Sequence, residues 1–197
     1  MSTLTFYQNN AIEYAAETAN VDFTATQERF LKYLPIGSHI LDFGCGSGRD
    51  SKCFLERGYA VTATDGCKEF VALASSYTGL EVKELLFNDL DAENVYDGVW
   101  ACASILHLPK EELKDVLCKI CRALKNGGYF YTSFKYGSFE GDVNGRYFTY
   151  LDEDAFAELL AAVPELKAIE QWVSGDVRTG RGAEKWLNVI VQSKRQI

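Results

Sequence analysis

The sequence has little that marks a membrane, exported or nucleic-acid-binding protein. No stretch approaches roughly 18 consecutive apolar residues, so we expect no membrane-spanning helix. The first residues, MSTLTFYQNNAIEYAAE, have no basic segment followed by an apolar one, so we expect no secretory signal. Lys and Arg do not cluster, and the formal net charge is −8. A polynucleotide substrate is therefore disfavoured, because a nucleic-acid-binding surface needs basic residues to neutralise phosphates.

Patterns for metal or disulfide chemistry are also scarce. Cys118 and Cys121 form the one C-x-x-C among six cysteines, and the two histidines, His39 and His107, do not stand at ligand spacing. Cys121 falls on the apolar face of a predicted helix, with Cys118 alongside. We therefore predict reduced structural thiols, no metal site and a cytoplasmic location.

The chain lacks repeats, low-complexity tracts and Pro- or Ser-rich linkers, so residues 1–197 are expected to form one domain. Helices are predicted at 9–19 and 24–34, and then in RDSKCFLERG, CKEFVALASSY, PKEELKDVLCKICRALKNGG and DEDAFAELLAAV. Strands are predicted in HILDFG, YAVTATD, LEVKELLF, YDGVWACAS, GYFYTSFK, LKAIEQWVS and EKWLNVIVQSK. This alternation predicts an α/β fold with a mainly parallel sheet, and the hairpin connection GDVRTGRGA makes the last strand antiparallel.

The stretch LDFGCGSGRD, residues 41–50, follows the first predicted strand, where open α/β sheets bind ligands. A dinucleotide fingerprint reads G-x-G-x-x-G, but here the third glycine, Gly48, comes one residue early. Asp42 precedes the loop, and a carboxylate there repels a pyrophosphate and suits a cationic group. Asp65 ends the second strand, where a carboxylate can accept hydrogen bonds from ribose hydroxyls.

Taken in order, residues 36–135 resemble the class I S-adenosylmethionine-dependent methyltransferases. ILDFGCGSGRD resembles their first motif, VTATD the second, FNDL the third and YDGVWACASILHLP the fourth, and ALKNGGYFYTSF resembles the strand that follows. GRD and HLP are similar to segments of small-molecule methyltransferases, including those related to tellurite resistance. The resemblance implies a Rossmann-like sandwich with a mainly parallel seven-stranded sheet.

It also implies S-adenosylmethionine as cofactor and the following cofactor-binding residues: Tyr7, Tyr14, Asp42, Gly44, Cys45, Gly46, Gly48, Asp65, Gly66, Asp89, Leu90 and Ala103. The glycine loop would wrap the methionine and ribose parts, with Asp42 near the α-amino group or a bound water. Asp65 would take the ribose hydroxyls. Asp89 would bond the adenine amino group beside the Leu90 backbone. Ala103 would contact the methionine part, while the two tyrosines cover the cofactor.

Each of these residues also has a structural interpretation. The three acids are suited to capping a loop or a helix, and the tyrosines to facing the core. His107 is a candidate general base, although a histidine that orients the turn before Pro109 is the simpler interpretation. Arg178 and Arg181, in the connection 175–184, are candidates to grip a substrate anion, or they belong to a solvated turn.

We therefore predict methyl transfer to a small molecule by in-line displacement, onto a nitrogen, oxygen, sulfur or heavier chalcogen nucleophile. A non-catalytic module that binds the cofactor is one alternative. An NAD-dependent oxidoreductase is another, although the glycine spacing and Asp42 argue against it. The N-terminal helices (about 1–35), the glycine-rich span 136–150 and the connection 175–184 are the expected substrate lid. No nucleic acid or membrane partner is expected, and the oligomeric state stays open between monomer and homodimer.

Overall fold

The computed structural model describes residues 2–178 and 180–194. Its strands are β1 His39–Phe43, β2 Ala60–Asp65, β3 Lys83–Glu84, β4 Tyr96–Ala101, β5 Leu124–Lys135, β6 Glu140–Val143, β7 Arg146–Thr149, β8 Leu166–Gly175 and β9 Lys185–Ser193. Its helices are α1 Thr3–Thr18, α2 Thr24–Leu31, α3 Arg49–Glu56, α4 Lys68–Thr78, α5 Lys110–Ala123 and α6 Glu153–Ala161. Within these residues, no helix is both long and apolar enough to span a membrane.

Seven strands form one sheet in the order β3-β2-β1-β4-β5-β9-β8. The pairs from β3 through β5 are parallel, and β9 runs antiparallel to both of its neighbours. The predicted mainly parallel sheet with an antiparallel last strand is therefore confirmed. Because the parallel strands end at the same edge, the loops that follow β1, β2, β4 and β5 meet there.

The core fills both faces of this sheet. On one face, Trp100 stacks on Tyr131 with ring centroids 4.0 Å apart and packs against Phe30 and Phe54. On the other, α5 and α6 bury their apolar sides, and Cys121 lies in that cluster with Cys118 packed against it. Neither cysteine forms a disulfide, and Cys118 is only half-buried.

Residues 124–127 are extended, although the sequence pattern predicts that the helix continues through them. Helix α5 ends at Ala123, and Leu124 turns to the extended conformation with ψ 142°. The carbonyls of Arg122 and Ala123 accept bonds from the Asn94 and Val95 amides, and the Leu124 side chain is fully buried. Pairing with the preceding loop thus overrides local helix propensity.

Two other segments differ from the sequence expectation. The strand predicted in LEVKELLF shrinks to Lys83–Glu84 at the sheet edge, where short strands limit unwanted pairing. The span 136–150, expected to be irregular, contains the β6–β7 hairpin. Asn144 and Gly145 form its turn with φ 51° and 81°, which is the left-handed pair that a tight two-residue hairpin requires.

Candidate functional site

A cavity of about 380 Å³ opens at the carboxyl edge of the parallel strands, a volume typical of small-molecule sites. Its walls come from α1, the glycine loop (residues 44–48), the end of β2, the segment 85–88, the end of β4 and the start of the β8–β9 connection. The cavity therefore lies where the sequence predicts the ligand site.

The glycine loop is shaped by close approach to its neighbours. Gly44 has φ 85°, and a Cβ there would lie 2.5 Å from the Ser104 Cβ atom. The Gly44 and Cys45 amides both donate to the Thr64 carbonyl at 2.9 Å, which ties the loop to β2. A Cβ at Gly46 would meet open space, so the backbone at Gly46 faces the cavity directly.

Unlike Gly44 and Gly46, Gly48 does not line the cavity. It starts α3 with φ 82°, and a Cβ there would lie 2.9 Å from Thr78 Cγ2 and 3.3 Å from the Ala74 backbone. Gly48 thus permits α3 and α4 to pack closely. The structure places it behind the predicted ligand site.

Asp65 lies at the centre of the cavity wall, immediately before Gly66, which also lines it. Its Oδ2 accepts from the Gly46 amide and its Oδ1 from the Cys67 amide, both at 2.8 Å. The helix-capping role does not prevent ligand binding, because each carboxylate oxygen keeps a second lone pair. Burial raises the pKa of Asp65 to about 6, against the opposing effect of these two backbone bonds.

Asp42 is buried beneath the loop and also lines the cavity. Its Oδ2 accepts from the Ser51 hydroxyl at 2.5 Å, so it holds the first turn of α3. Burial, reinforced by the charge of Asp50, raises the pKa of Asp42 well above its usual range. A cationic group in the cavity would favour the charged form of this carboxyl.

Sequence reasoning left Arg49 without a role, and the structure places it in the cavity wall, paired with Asp50. Its Nε and Nη2 donate to the two carboxylate oxygens at 2.9 and 2.8 Å. Trp100 and Gln27 also donate to Asp50. Burial alone would raise the pKa of Asp50, but the Arg49 charge and these bonds hold it below its usual value. Among the described residues, the hydrogen bonds of the Arg49 guanidinium come from Nε and Nη2, which leaves Nη1 to donate to a ligand.

His107 belongs to a fixed chain of hydrogen bonds. Its Nδ1 lies 2.7 Å from the Tyr147 carbonyl, which can only accept, so Nδ1 carries the proton. Its Nε2 then accepts from the Tyr7 hydroxyl at 2.8 Å. Burial is the main cause that lowers the pKa of His107 to about 4, so the ring is neutral near pH 7.

The aromatic residues of α1 form one wall. Tyr7 and Tyr14 both line the cavity and meet edge to face, with ring centroids 5.2 Å apart. They also pack against Phe70 of α4. The sequence therefore placed both rings correctly beside the cavity, while their contacts with Phe70 show that they also hold α1 in place.

At the end of β4, Ala103 lines the cavity as expected and has φ 49°. Its amide donates to the Ser133 hydroxyl at 2.9 Å, which anchors this uncommon conformation. Cys45 lines the cavity too, and burial raises the pKa of its thiol.

Asp89 and Leu90 do not line the cavity: Asp89 is exposed and Leu90 packs into the core. A 3₁₀ turn over Phe87–Asp89 instead directs Phe87 and Asn88 to the cavity.

Arg178 and Arg181 occupy different positions. Arg178 lines the cavity, but its Nε and Nη2 donate to both oxygens of Asp176, at 3.0 and 2.6 Å. Its bidentate fork is therefore already filled, which argues against the predicted grip on a substrate anion. Arg181 lies outside this cavity and lines a small adjoining pocket.

The sequence and the fold agree with one known family. A family model described as a methyltransferase domain matches residues 40–128, which run from β1 into β5. Residues 40–128 thus match a methyltransferase domain, and the solved structures whose fold this chain shares include S-adenosylmethionine-dependent methyltransferases.

The relatives differ in what they act on. The crystal structure of Burkholderia thailandensis 1,6-didemethyltoxoflavin-N1-methyltransferase, with bound 1,6-didemethyltoxoflavin and S-adenosylhomocysteine, is 22% identical. It superposes with a TM-score of 0.77, over 98% of this chain and 85% of that one. An uncharacterized methyltransferase of Staphylococcus carnosus is 23% identical over 86% of this chain and 88% of its own length. The tRNA (carboxymethyluridine(34)-5-O)-methyltransferase of Schizosaccharomyces pombe is 26% identical over 62% of this chain, which spans only 56% of that protein.

The residues around the cavity fit the cofactor of these methyltransferases, S-adenosylmethionine. Its ribose diol, α-ammonium and sulfonium need acceptors, negative charge and aromatic faces, and it carries no phosphate. Asp65 offers the acceptors, and Asp42 and the tyrosine rings lie on the same walls. Arg49 offers the remaining requirement, a cation for the α-carboxylate.

Proposed function

We propose that this protein transfers a methyl group from S-adenosylmethionine to a small-molecule acceptor. The observation that carries the proposal is the arrangement at the end of β2, where the Gly46 amide and the Asp65 carboxylate meet in the wall of the cavity. A carboxylate held by backbone amides at this point is suited to a diol rather than to a phosphate.

The cofactor-binding roles follow from the contacts described above. Asp65 accepts from the ribose hydroxyls, and the Nη1 of Arg49 is directed to the α-carboxylate. Asp42 balances the α-ammonium group from beneath the loop. Asn88 and Phe87 take the place beside the adenine that the sequence pattern had given to Asp89 and Leu90.

S-adenosylmethionine, when bound, supplies a methyl group already activated by a sulfonium. The task of the chain is therefore to bind, to align and to exclude water. His107 is neutral and its Nε2 is occupied by Tyr7, so we assign it to holding the Tyr7 ring rather than to proton abstraction. Acceptors that need no general base, such as thiolates, neutral amines and carboxylates, match this arrangement.

The scale of the site favours a small molecule over RNA. The fission-yeast relative is named for a tRNA substrate, but this chain has a net charge of −8. Its cavity is bounded by α1 and by the β8–β9 connection. These segments, together with the β6–β7 hairpin, are suited to act as the lid over an acceptor.

The direct test is methyl transfer from labelled S-adenosylmethionine to a panel of thiols, amines, carboxylic acids, tellurite and bulk tRNA. We expect product with a small acceptor and none with tRNA, and the Asp65→Ala variant should lose the activity. Cofactor binding without any product would favour a non-catalytic module. Saturable binding of NADH with no binding of S-adenosylmethionine would point to an oxidoreductase.

A further inference from the structure

Beside the main cavity lies a small pocket that collects positive charge. Four of its lining residues are cations, and none is an acid: Lys135, Arg146, Arg178 and Arg181. We call this the cationic pocket. It shares six lining residues with the main cavity, namely Tyr7, Tyr14, Ala103, His107, Arg178 and Trp186. The two spaces are therefore neighbours across the end of β4.

Two of the four cations are already neutralised. The Lys135 ammonium lies 2.6 Å from a Glu184 carboxylate oxygen, and Arg178 is held by Asp176. Within residues 2–178 and 180–194, no carboxylate forms an ion pair with Arg146 or Arg181. The cationic pocket thus keeps an excess of about two positive charges.

Of the two cations without an ion pair among the described residues, Arg146 gives the clearer indication of a bound anion. Its Nε is buried and has no hydrogen-bond partner among the described residues. Its guanidinium carbon lies 4.6 Å from the centre of the Phe6 ring and 5.1 Å from that of Phe148. A buried donor without an acceptor is costly, and aromatic rings lie against this guanidinium. An arginine in this state is preorganised for an anion.

Burial and the positive charge of the cationic pocket lower the pKa of His107. Burial is the first cause of its low pKa, and the charges of Arg146 and Lys135 lower it further. The ring lies at the boundary between the two spaces, so the positive field extends to the place where an acceptor would enter the main cavity.

We infer that the cationic pocket binds a carboxylate of the methyl acceptor, with Arg146 as its main counterion. The inference rests on the proposed function and names the class of acceptor, a small carboxylic acid. The pocket measures about 20 Å³, room for about one water-sized group, so one carboxylate oxygen would enter it while the main cavity holds the rest of the molecule. The carboxylate is the anchor that orients the acceptor.

The test measures binding of three probes, benzoate, benzamide and phenyl phosphate, to the protein saturated with S-adenosylhomocysteine. Calorimetry should show that benzoate binds and that benzamide does not. In the Arg146→Gln variant, benzoate affinity should fall at least tenfold, and Arg146→Lys should keep part of it. Arg57→Gln is the matched control, because Arg57 is a partly exposed arginine on the far end of α3.

The outcomes separate the two proposals. Equal benzoate affinity in the wild type and in Arg146→Gln overturns the cationic pocket, even if S-adenosylhomocysteine binds normally to both. Failure of S-adenosylhomocysteine to bind the wild type overturns the proposed function instead, and the pocket is then judged by benzoate binding alone. Tighter Arg146-dependent binding of phenyl phosphate than of benzoate overturns the assignment to a carboxylate. A melting temperature of Arg146→Gln near that of the wild type shows that the variant is folded.

Discussion

The two ends of the site carry opposite charge. At one end, Asp42, Asp50 and Asp65 surround the glycine loop, and we call this the acidic end. At the other, the cationic pocket brings together Lys135, Arg146, Arg178 and Arg181. A ligand pair with a cationic sulfonium and ammonium on one side and an anion on the other would match both. Electrostatic complementarity of this kind gives orientation as well as affinity.

The two ends are also built differently along the chain. Asp42 lies in β1, Asp50 at the start of α3 and Asp65 at the end of β2, so short segments around residues 41–50 and 60–66 place them. The cations come from the end of β5, the β6–β7 hairpin and the β8–β9 connection, which are distant in sequence. The acidic end is the proposed site of the cofactor, and its strands β1 and β2 lie within the segment that matches the methyltransferase domain, 40–128. The four cations of the cationic pocket lie in the part of the chain that follows the matched family segment, 40–128.

The largest effect is expected from a substitution that disturbs the backbone of the glycine loop at the acidic end. A Cβ on Gly44 would overlap Ser104, and alanine disfavours the φ of 85°. We expect Gly44→Ala to weaken S-adenosylmethionine binding about a hundredfold and to lower the free energy of unfolding by about 2 kcal/mol. Calorimetry and urea unfolding measure the two effects. Gly46→Ala, which adds its Cβ to open space, is the control and should cost less stability.

Substitution of Asp65 removes a negative charge from the acidic end. We expect Asp65→Ala to weaken cofactor affinity at least tenfold, because charge-assisted bonds to the ribose hydroxyls are lost. Benzoate binding at the cationic pocket should change little, since Asp65 does not line it. Unchanged cofactor affinity by calorimetry would contradict the ribose assignment.

The pH dependence of cofactor binding sharpens the same point. The pKa of Asp65 is raised to about 6, and the ribose hydroxyls donate to its charged form. The contribution of Asp65 to affinity should therefore be nearly complete above pH 7 and fall about tenfold from pH 7 to pH 5, as the carboxylate takes up a proton. Asp65→Asn should have weaker binding with a flatter pH profile, and an equally steep profile in this variant would assign the titration to another group.

At the cationic pocket, a substitution of Asp176, the partner of Arg178, is expected to raise ligand affinity rather than lower it. Its carboxylate is almost fully buried and holds Arg178. We expect Asp176→Asn to lower the free energy of unfolding by about 2 kcal/mol, because Arg178 loses its charged partner. The freed Arg178 should also raise benzoate affinity severalfold. Weaker benzoate binding in a folded Asp176→Asn protein would count against a charge-based pocket.

The smallest effect concerns His107. Its pKa is lowered from 6.5 to about 4 in the folded protein, so protonation favours the unfolded chain. This contribution to stability is complete above pH 6.5 and is lost as the pH falls towards 4. His107→Gln should flatten the stability profile in that window, as measured by urea unfolding at several pH values. A profile as steep as that of the wild type would show that other groups dominate it.

The sequence predicted most of the acidic end because its signals are local. Each acid stands at the end of an apolar strand, and parallel strands bring their ends together. Where prediction missed, neighbours in space decided. Gly48 serves helix packing through Ala74 and Thr78, and a 3₁₀ turn replaced Asp89 by Asn88 in the cavity wall.

The cationic pocket was largely invisible in the sequence. Arg146 lies in a span that looked irregular, although Asn144-Gly145 between Val143 and Arg146 is a strong hairpin signal. Arg178 looked free until the structure showed Asp176 folded back onto it. No local pattern shows that Lys135 and Arg181, 46 positions apart, line the same pocket.

Tyr147 joins two segments that are far apart along the chain. Its amide donates to the Thr3 hydroxyl at 2.8 Å, and its carbonyl accepts a hydrogen bond from Nδ1 of His107, which in turn holds Tyr7. Helix α1 and the β6–β7 hairpin are thus latched to each other over the wall of the site. We expect α1 and the hairpin to move apart when a product leaves. The opening of this latch, rather than bond making, should then set the turnover rate.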